Sequence, residues 1–273
     1  MSGIVVDGLR WEVRSHGAGV PLLLLHGFMG RGSSFGRHAS SFAERFRVIV
    51  VDLPGHGRSG IPPDPARASV ERTADDLATI LDREGDGPAH VLGYSLGARV
   101  ALRLAAFHPR MVRRLVLESP SAGIPTERER RARRSADAAR ADRLERDGIA
   151  AFVDEWEREP VFASQTALPP GRAARLRTER LDNEPTGLAA SLRGAGQGSM
   201  EPLHDRLTAI RNPTLVIAGA LDPAGWARAE RVAAGIPGAR LEILAGAGHT
   251  PHLETPAAFR SLALAFLKEE PAT

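Results

Sequence analysis

Gly93-Tyr94-Ser95-Leu96-Gly97 joins an apolar run at 89–92 to a helical repeat at 96–106. The order is strand, tight turn, helix. In a Gly-x-Ser-x-Gly turn the backbone bends so sharply that a Cβ at either glycine would strike the strand or the helix. The same bend lifts the serine hydroxyl off the top of the sheet. The NH of Leu96 then points towards whatever Ser95 approaches, which makes it a candidate donor to a developing oxyanion. Without its flanks the pattern is only a glycine-rich turn with a surface serine; the strand before it and the helix after it make Ser95 a candidate catalytic group.

Outward from this turn, residues 4–6 and 10–13 around Asp7-Gly8 predict a β-hairpin, and 21–25 is a continuous apolar run suited to a strand covered on both faces. That run ends in His26-Gly27-Phe28-Met29-Gly30, where the Phe28 NH is a second candidate oxyanion donor. Residues 33–46 predict a helix, 48–51 a strand, 52–60 a loop punctuated by proline and glycine, and 70–81 a helix. Further buried strands are expected at 112–117, 214–218 and 241–244, with a closing helix at 256–267. Strands alternating with helices predict a mostly parallel, doubly wound sheet flanked by helices. Between 124 and 206 no buried-strand pattern occurs. Instead Thr126-Glu127-Arg128-Glu129 is a capping box that opens an Ala- and Arg-rich helix to about 147. A second helical stretch carries Phe152, Trp156 and Phe162, a third lies near 172–181, and a glycine-rich stretch at 194–198 leads back. The expected organisation is a sheet domain in two parts, 1–123 and 207–273, with a helical lid inserted at 124–206.

A chain of 273 residues, 42% of them hydrophobic, can bury a substantial core. Having no cysteine, it can hold neither a disulfide nor a thiolate metal site. The formal net charge is only +3, and 124–206 carries fifteen arginines against fifteen acidic residues, a poor footprint for a phosphate backbone. Nucleic acid is therefore not an expected partner. No basic stretch with a long apolar core opens the chain, and the run at 20–25 is far too short to span a bilayer. The expectation is a cytoplasmic protein without membrane insertion, a monomer or small homo-oligomer.

Ser95, Asp222 and His249 each follow a predicted parallel strand, and such loops open on one edge of a doubly wound sheet. Asp222 would hold the His249 tautomer, His249 would draw the proton from Ser95, and the NH groups of Phe28 and Leu96 would stabilise the oxyanion. Glu118 also ends a strand and competes for the acid's place; the chain order Ser, Asp, His favours Asp222. His56, set between glycines, reads as a loop residue, and His252, beyond Pro251, as packed or solvent facing. Arg99 lies one helical turn after Ser95, where a cation opposes the helix dipole by about 0.3–1 kcal/mol. An anion nearby, from a substrate or a neighbouring acid, is the expected compensation.

His26-Gly27-Phe28-Met29-Gly30, Gly93-Tyr94-Ser95-Leu96-Gly97-Ala98-Arg99, Leu117-Glu118-Ser119, the run reaching Arg133 and Asp137, Trp156 through Pro160-Val161-Phe162-Ala163-Ser164, and Ser191-Leu192-Arg193-Gly194 together resemble the 2-succinyl-6-hydroxy-2,4-cyclohexadiene-1-carboxylate synthases of menaquinone biosynthesis. The likeness spans nearly the whole chain; its Ser, Asp and His motifs are shared with all α/β-hydrolases, and the lid motifs are the specific part. The resemblance implies an α/β-hydrolase fold with a helical lid and a lyase that removes pyruvate from 2-succinyl-5-enolpyruvyl-6-hydroxy-3-cyclohexene-1-carboxylate. It implies no metal and no organic cofactor. The family's carboxylate-holding arginines fall on Arg99, Arg133 and Arg177, with Arg130, Arg134 and Arg180 as neighbouring registers in the lid, and Tyr94 and Trp156 line the pocket of the small polycarboxylate substrate. At Pro223-Ala224-Gly225-Trp226 the chain departs from the family, where a lysine and an aromatic are more usual. A serine esterase or a carbon–carbon hydrolase using the same three residues is the competing reading, and a binding protein that kept the fold without catalysis is a third.

Overall fold

Leu22, Leu23, Leu24 and Leu25 are all fully buried, yet they serve two cores: Leu23 and Leu25 join one, Leu22 and Leu24 the other. Successive side chains of a strand point to opposite faces, so an unbroken apolar run marks a strand covered on both sides. Each such leucine contributes about 1.5–3 kcal/mol of burial. The computed structural model describes residues 2–84 and 87–269 and carries this two-sided arrangement through the molecule.

The chain runs β1 (Ser2–Val6), β2 (Leu9–His16), β3 (Pro21–Leu25), α1 (Gly36–Ala43), β4 (Arg47–Val51), α2 (Val70–Glu84), β5 (Ala89–Tyr94), α3 (Leu96–Phe107) and β6 (Val112–Glu118). Three helices follow without a strand: α4 (Glu127–Trp156), α5 (Pro170–Leu181) and α6 (Pro185–Ala195). It then returns through β7 (Thr214–Gly219), α7 (Pro223–Gly235), β8 (Arg240–Leu244), α8 (Pro251–Glu254) and α9 (Pro256–Lys268). Among the described residues the strands form one eight-stranded sheet in the order β1-β2-β4-β3-β5-β6-β7-β8. The β1–β2 and β2–β4 pairs are antiparallel and the rest parallel. On one face Leu23, Val91, Leu115 and Val216 pack against Leu77 of α2, Val100 of α3 and Val232 of α7. On the other, Leu22, Leu92, Val116 and Ile217 pack against Phe42 of α1 and Phe259 of α9.

Two local features have backbone causes, the first of them a difference from the sequence expectation. The helix expected over 33–46 is a 3-10 turn at Gly32–Phe35 followed by α1, because Gly36 at φ +42 interrupts it. The helix opened by Thr126 accepts its cap from the Glu129 NH at 3.3 Å and kinks at Gly148, φ +82, where the sequence pattern also breaks. A further difference is α6, in a stretch to which the sequence pattern assigns no element. Pro185 starts it, and its small residues let it sit almost wholly buried: a Cβ on Gly187 would lie 2.4 Å from the Gly55 carbonyl oxygen, and one on Gly194 1.9 Å from that of Pro65. A separate cluster of Ala141, Leu144, Phe152, Val153, Leu188 and Leu192 closes over Met29. Among the described residues no helix is long and apolar enough to cross a membrane.

Candidate active site

Ser95 stands between β5 and α3 with φ +50, a conformation that a non-glycine residue holds only when its surroundings impose it. The flanking glycines impose it. A Cβ on Gly93 would lie 2.3 Å from the Gly97 carbonyl oxygen, and one on Gly97 would lie 2.1 Å from that of Leu25. The Leu96 NH, at the first position of α3, has no acceptor within its own helix. Across from it, the Gly30 NH bonds the Gly27 carbonyl at 3.0 Å, closing a turn with Met29 at φ +64 and leaving the Phe28 NH outside that bond.

The structure brings Ser95, His249 and Asp222 together. Ser95 Oγ lies 3.1 Å from His249 Nε2, and His249 Nδ1 lies 2.8 Å from Asp222 Oδ2. An ionised carboxylate can only accept, so Nδ1 carries the proton and Nε2 is left as the acceptor for the serine hydroxyl. The other Asp222 oxygen accepts the Gly225 NH at 2.8 Å, which caps α7. Burial pulls the Asp222 pKa up, but the bonds from His249 and Gly225 outweigh it and hold the carboxyl below its ordinary value.

The competing groups are engaged elsewhere. Glu118 is fully buried and accepts both Nδ1 and the backbone NH of His252, each at 2.8 Å, so the two form a packed pair apart from His249. His56 is buried against His26 and Phe28, and burial first, then His26, depresses its pKa to about 3, leaving it neutral.

Beside the relay lies a cavity of about 610 Å³, lined by Phe28, Tyr94, Trp156, Phe162 and Arg180 among others. Trp156 meets the Phe28 ring at 5.1 Å and the Phe162 ring at 5.4 Å, and Tyr94 and Phe162 flank His249 at 5.7 and 5.9 Å. Burial, then the Glu118 charge, pushes the Tyr94 phenol well above its ordinary pKa, so it is a neutral lining group. The predicted arginines separate. Arg99 is buried, and its Nη1 donates to the carbonyl of Ala195, the last residue of α6, at 2.7 Å; no carboxylate contacts it among the described residues. Burial, then Arg133, lowers its pKa to about 10, the mark of a guanidinium short of counter-charge. Arg133 Nε is held by both oxygens of buried Asp137, at 2.9 and 3.0 Å. Arg177 pairs with Asp154 at 2.6 Å and Glu157 at 2.7 Å and, like Arg99 and Arg133, is not on the wall of this cavity. Arg180, three residues on and so a neighbour on the same side of the helix, donates to the other Glu157 oxygen at 3.1 Å and to the Gln165 side chain at 2.9 Å, but it is buried against the Phe162 ring and lines the cavity.

The profile of the alpha/beta hydrolase fold family matches residues 20–256. A Bacillus subtilis (strain 168) relative, provisionally named 2-succinyl-6-hydroxy-2,4-cyclohexadiene-1-carboxylate synthase, is 38% identical over 265 residues, covering 96% of each chain. The 2-succinyl-6-hydroxy-2,4-cyclohexadiene-1-carboxylate synthase of Serratia proteamaculans (strain 568) is 30% identical, over 87% of this chain and 89% of its own. Of solved structures, MenH from S. aureus superposes with a TM-score of 0.90 at 35% identity, over 94% of this chain and 97% of that one. The chain belongs to the 2-succinyl-6-hydroxy-2,4-cyclohexadiene-1-carboxylate synthase family. Its α/β-hydrolase fold is the one expected from the Ser95 turn and the strand order.

Two supports of the site in this synthase-family chain have roles that the sequence motifs do not reveal. Ser119, at φ +49 after β6, donates to the His249 carbonyl at 2.9 Å and ties the two loops together. Glu254 accepts the Gly248 NH and the hydroxyls of Thr250 and Ser164, at 2.6 and 3.2 Å for the hydroxyls, so the His249 loop is stitched to the segment after α4. Ser119 stands in one of the motifs that carry the resemblance, but no motif discloses its bond to the His249 loop, and a glutamate five residues past a histidine is too common to single out.

Proposed function

We propose that the protein eliminates pyruvate from 2-succinyl-5-enolpyruvyl-6-hydroxy-3-cyclohexene-1-carboxylate to give 2-succinyl-6-hydroxy-2,4-cyclohexadiene-1-carboxylate, a carbon–oxygen lyase step of menaquinone biosynthesis. The observation that carries this reading is the Ser95–His249–Asp222 relay with the buried Arg99 guanidinium one helical turn away and contacted by no carboxylate among the described residues, in a chain whose relatives are named for this product. Ser95, with His249 Nε2 accepting its proton, acts as a base and takes the hydrogen from the ring carbon beside the succinyl ketone. The electron pair passes to the ketone oxygen, held by the NH groups of Phe28 and Leu96. It then returns through the conjugated system, the carbon–oxygen bond to the enolpyruvyl group breaks, and the proton on His249 goes to the departing enolate, which becomes pyruvate. Asp222 steadies the imidazolium formed on the way. Arg99, Arg133 and Arg180 hold the carboxylates, Arg180 taking the place that the resemblance gave to Arg177, and Tyr94 and Trp156 form the walls. Residues 124–206 act as the lid that keeps water from the enolate.

Hydrolysis by the same residues would pass through an acyl-serine, whereas elimination has no use for one. Purified protein given the enolpyruvyl substrate is expected to release pyruvate, form a diene absorbing in the near ultraviolet, and incorporate no oxygen from labelled water. Trapping an acyl group on Ser95 from this substrate, with no pyruvate released, would overturn the reading in favour of an esterase.

A further inference from the structure

The same cavity is also walled by Arg37 of α1, Arg172 and Arg175 of α5 and Arg260 of α9. Their charge is not matched by protein acids. Arg172 donates to the Leu253 carbonyl at 2.7 Å, and none of the four has a carboxylate partner among the described residues. Elsewhere on the inserted helices the pattern is the opposite: Arg143 pairs with Glu155 at 2.9 Å, Arg177 with Asp154 and Glu157, and Arg193 with Asp142 and Glu145. The one carboxylate on the cavity wall is Glu179, which accepts from the Ser34 hydroxyl and whose pKa burial raises. Four guanidiniums facing one space without counter-charge repel one another, and an anion in that space removes the repulsion. A guanidinium fork matches the two oxygens of a carboxylate. Arg37 and Arg175 are exposed, so they can hold an anion only loosely, as suits a small ligand in rapid exchange with solvent.

We propose that this arginine wall is a second carboxylate subsite, distinct from Arg99 and Arg133, and that it takes a small 2-oxo monocarboxylate. It rests on the elimination reading for its natural occupant, the pyruvate released from the substrate, which would leave along this wall while the ring product remains near Ser95.

The test is a titration of the protein with sodium pyruvate at constant ionic strength, read by tryptophan fluorescence, with the part lost in Trp156→Phe assigned to Trp156, the one of the three tryptophans that lines the cavity. A saturable change is expected, with the dissociation constant raised fivefold or more in Arg37→Gln/Arg175→Gln, whose exposed positions leave the fold intact, and in Arg172→Gln/Arg260→Gln. No saturable change in the parent protein, an unaltered constant in both double variants, or equal displacement of pyruvate by inorganic phosphate would each overturn the proposal. Pyruvate release from the enolpyruvyl substrate is measured separately. If release fails while arginine-dependent pyruvate binding persists, the lyase reading falls and the subsite stands; if release occurs and binding ignores the four arginines, the subsite falls alone.

Discussion

At the scale of single residues, the relay is a unit whose parts have no separate value. Ser95→Ala, His249→Ala and Asp222→Asn should each lower kcat by on the order of 10³-fold or more, and any pair should cost little beyond the worst single change. Steady-state pyruvate release measures this, and near-normal turnover of Ser95→Ala would remove Ser95 from the chemistry. Glu118→Gln is the informative contrast. Because Glu118 binds His252 rather than His249, its loss should appear as about 1–3 kcal/mol of stability in denaturant melts, with kcat far better preserved than in Asp222→Asn. The arginines divide in the same manner: Arg99→Ala and Arg180→Ala should each cost about 1.5–3 kcal/mol in kcat/KM. Arg177→Ala, which breaks only half-exposed pairs, should stay within about 0.5 kcal/mol. Equal losses for Arg177 and Arg180 would return the substrate contact to the register that sequence alone suggested.

At the scale of elements, what was legible in the sequence followed from strong, local physics. Unbroken apolar runs gave β3, β5 and β7, and two glycines that tolerate no Cβ defined the turn at Ser95. The helix α6 escaped because the features that let it bury against Gly55 and Pro65, glycine and alanine in place of large apolar residues, erase the amphipathic pattern that reveals a helix. Arg180 was among the registers the resemblance left open, and sequence could not choose it over Arg177 for a related reason: on a helix crowded with arginines, the one that lines the cavity is set by the Phe162 ring and Gln165, partners distant in sequence. The packing of α6 is testable through Gly194→Ala, whose new methyl would meet the Pro65 carbonyl. A loss of about 1–3 kcal/mol and faster proteolysis within 124–206 are expected. Wild-type melting and cleavage would show that α6 can shift without cost.

At the scale of the whole molecule, the fold carries a latent sensitivity to acid. Burial is the leading cause holding His26, His38 and His90 at about 4 and His56 at about 3, below the ordinary histidine value of 6.5. Between roughly pH 6.5 and 4 the unfolded chain binds protons that the folded chain refuses, so stability is full above this window and falls as pH drops through it. Each fully contributing histidine removes about 1.4 kcal/mol per pH unit. Thermal melts from pH 7.5 to 4.5 should show the decline, and His90→Gln, remote from Ser95, should flatten it; an unchanged slope would place the acid response elsewhere. A different kind of coupling follows from Arg99, whose guanidinium both caps the carboxyl end of α6 and stands without an acid partner one turn from Ser95. Whatever order a bound carboxylate confers on α6 through that fork, the order of α6 must return as affinity for the carboxylate, by the same factor, since the two equilibria share one free energy. Hydrogen exchange at the α6 amides then reads that coupling at a distance: at saturation, the ligands that slow it most are those whose affinity depends most on the order of α6, and uncharged analogues should leave it unmoved.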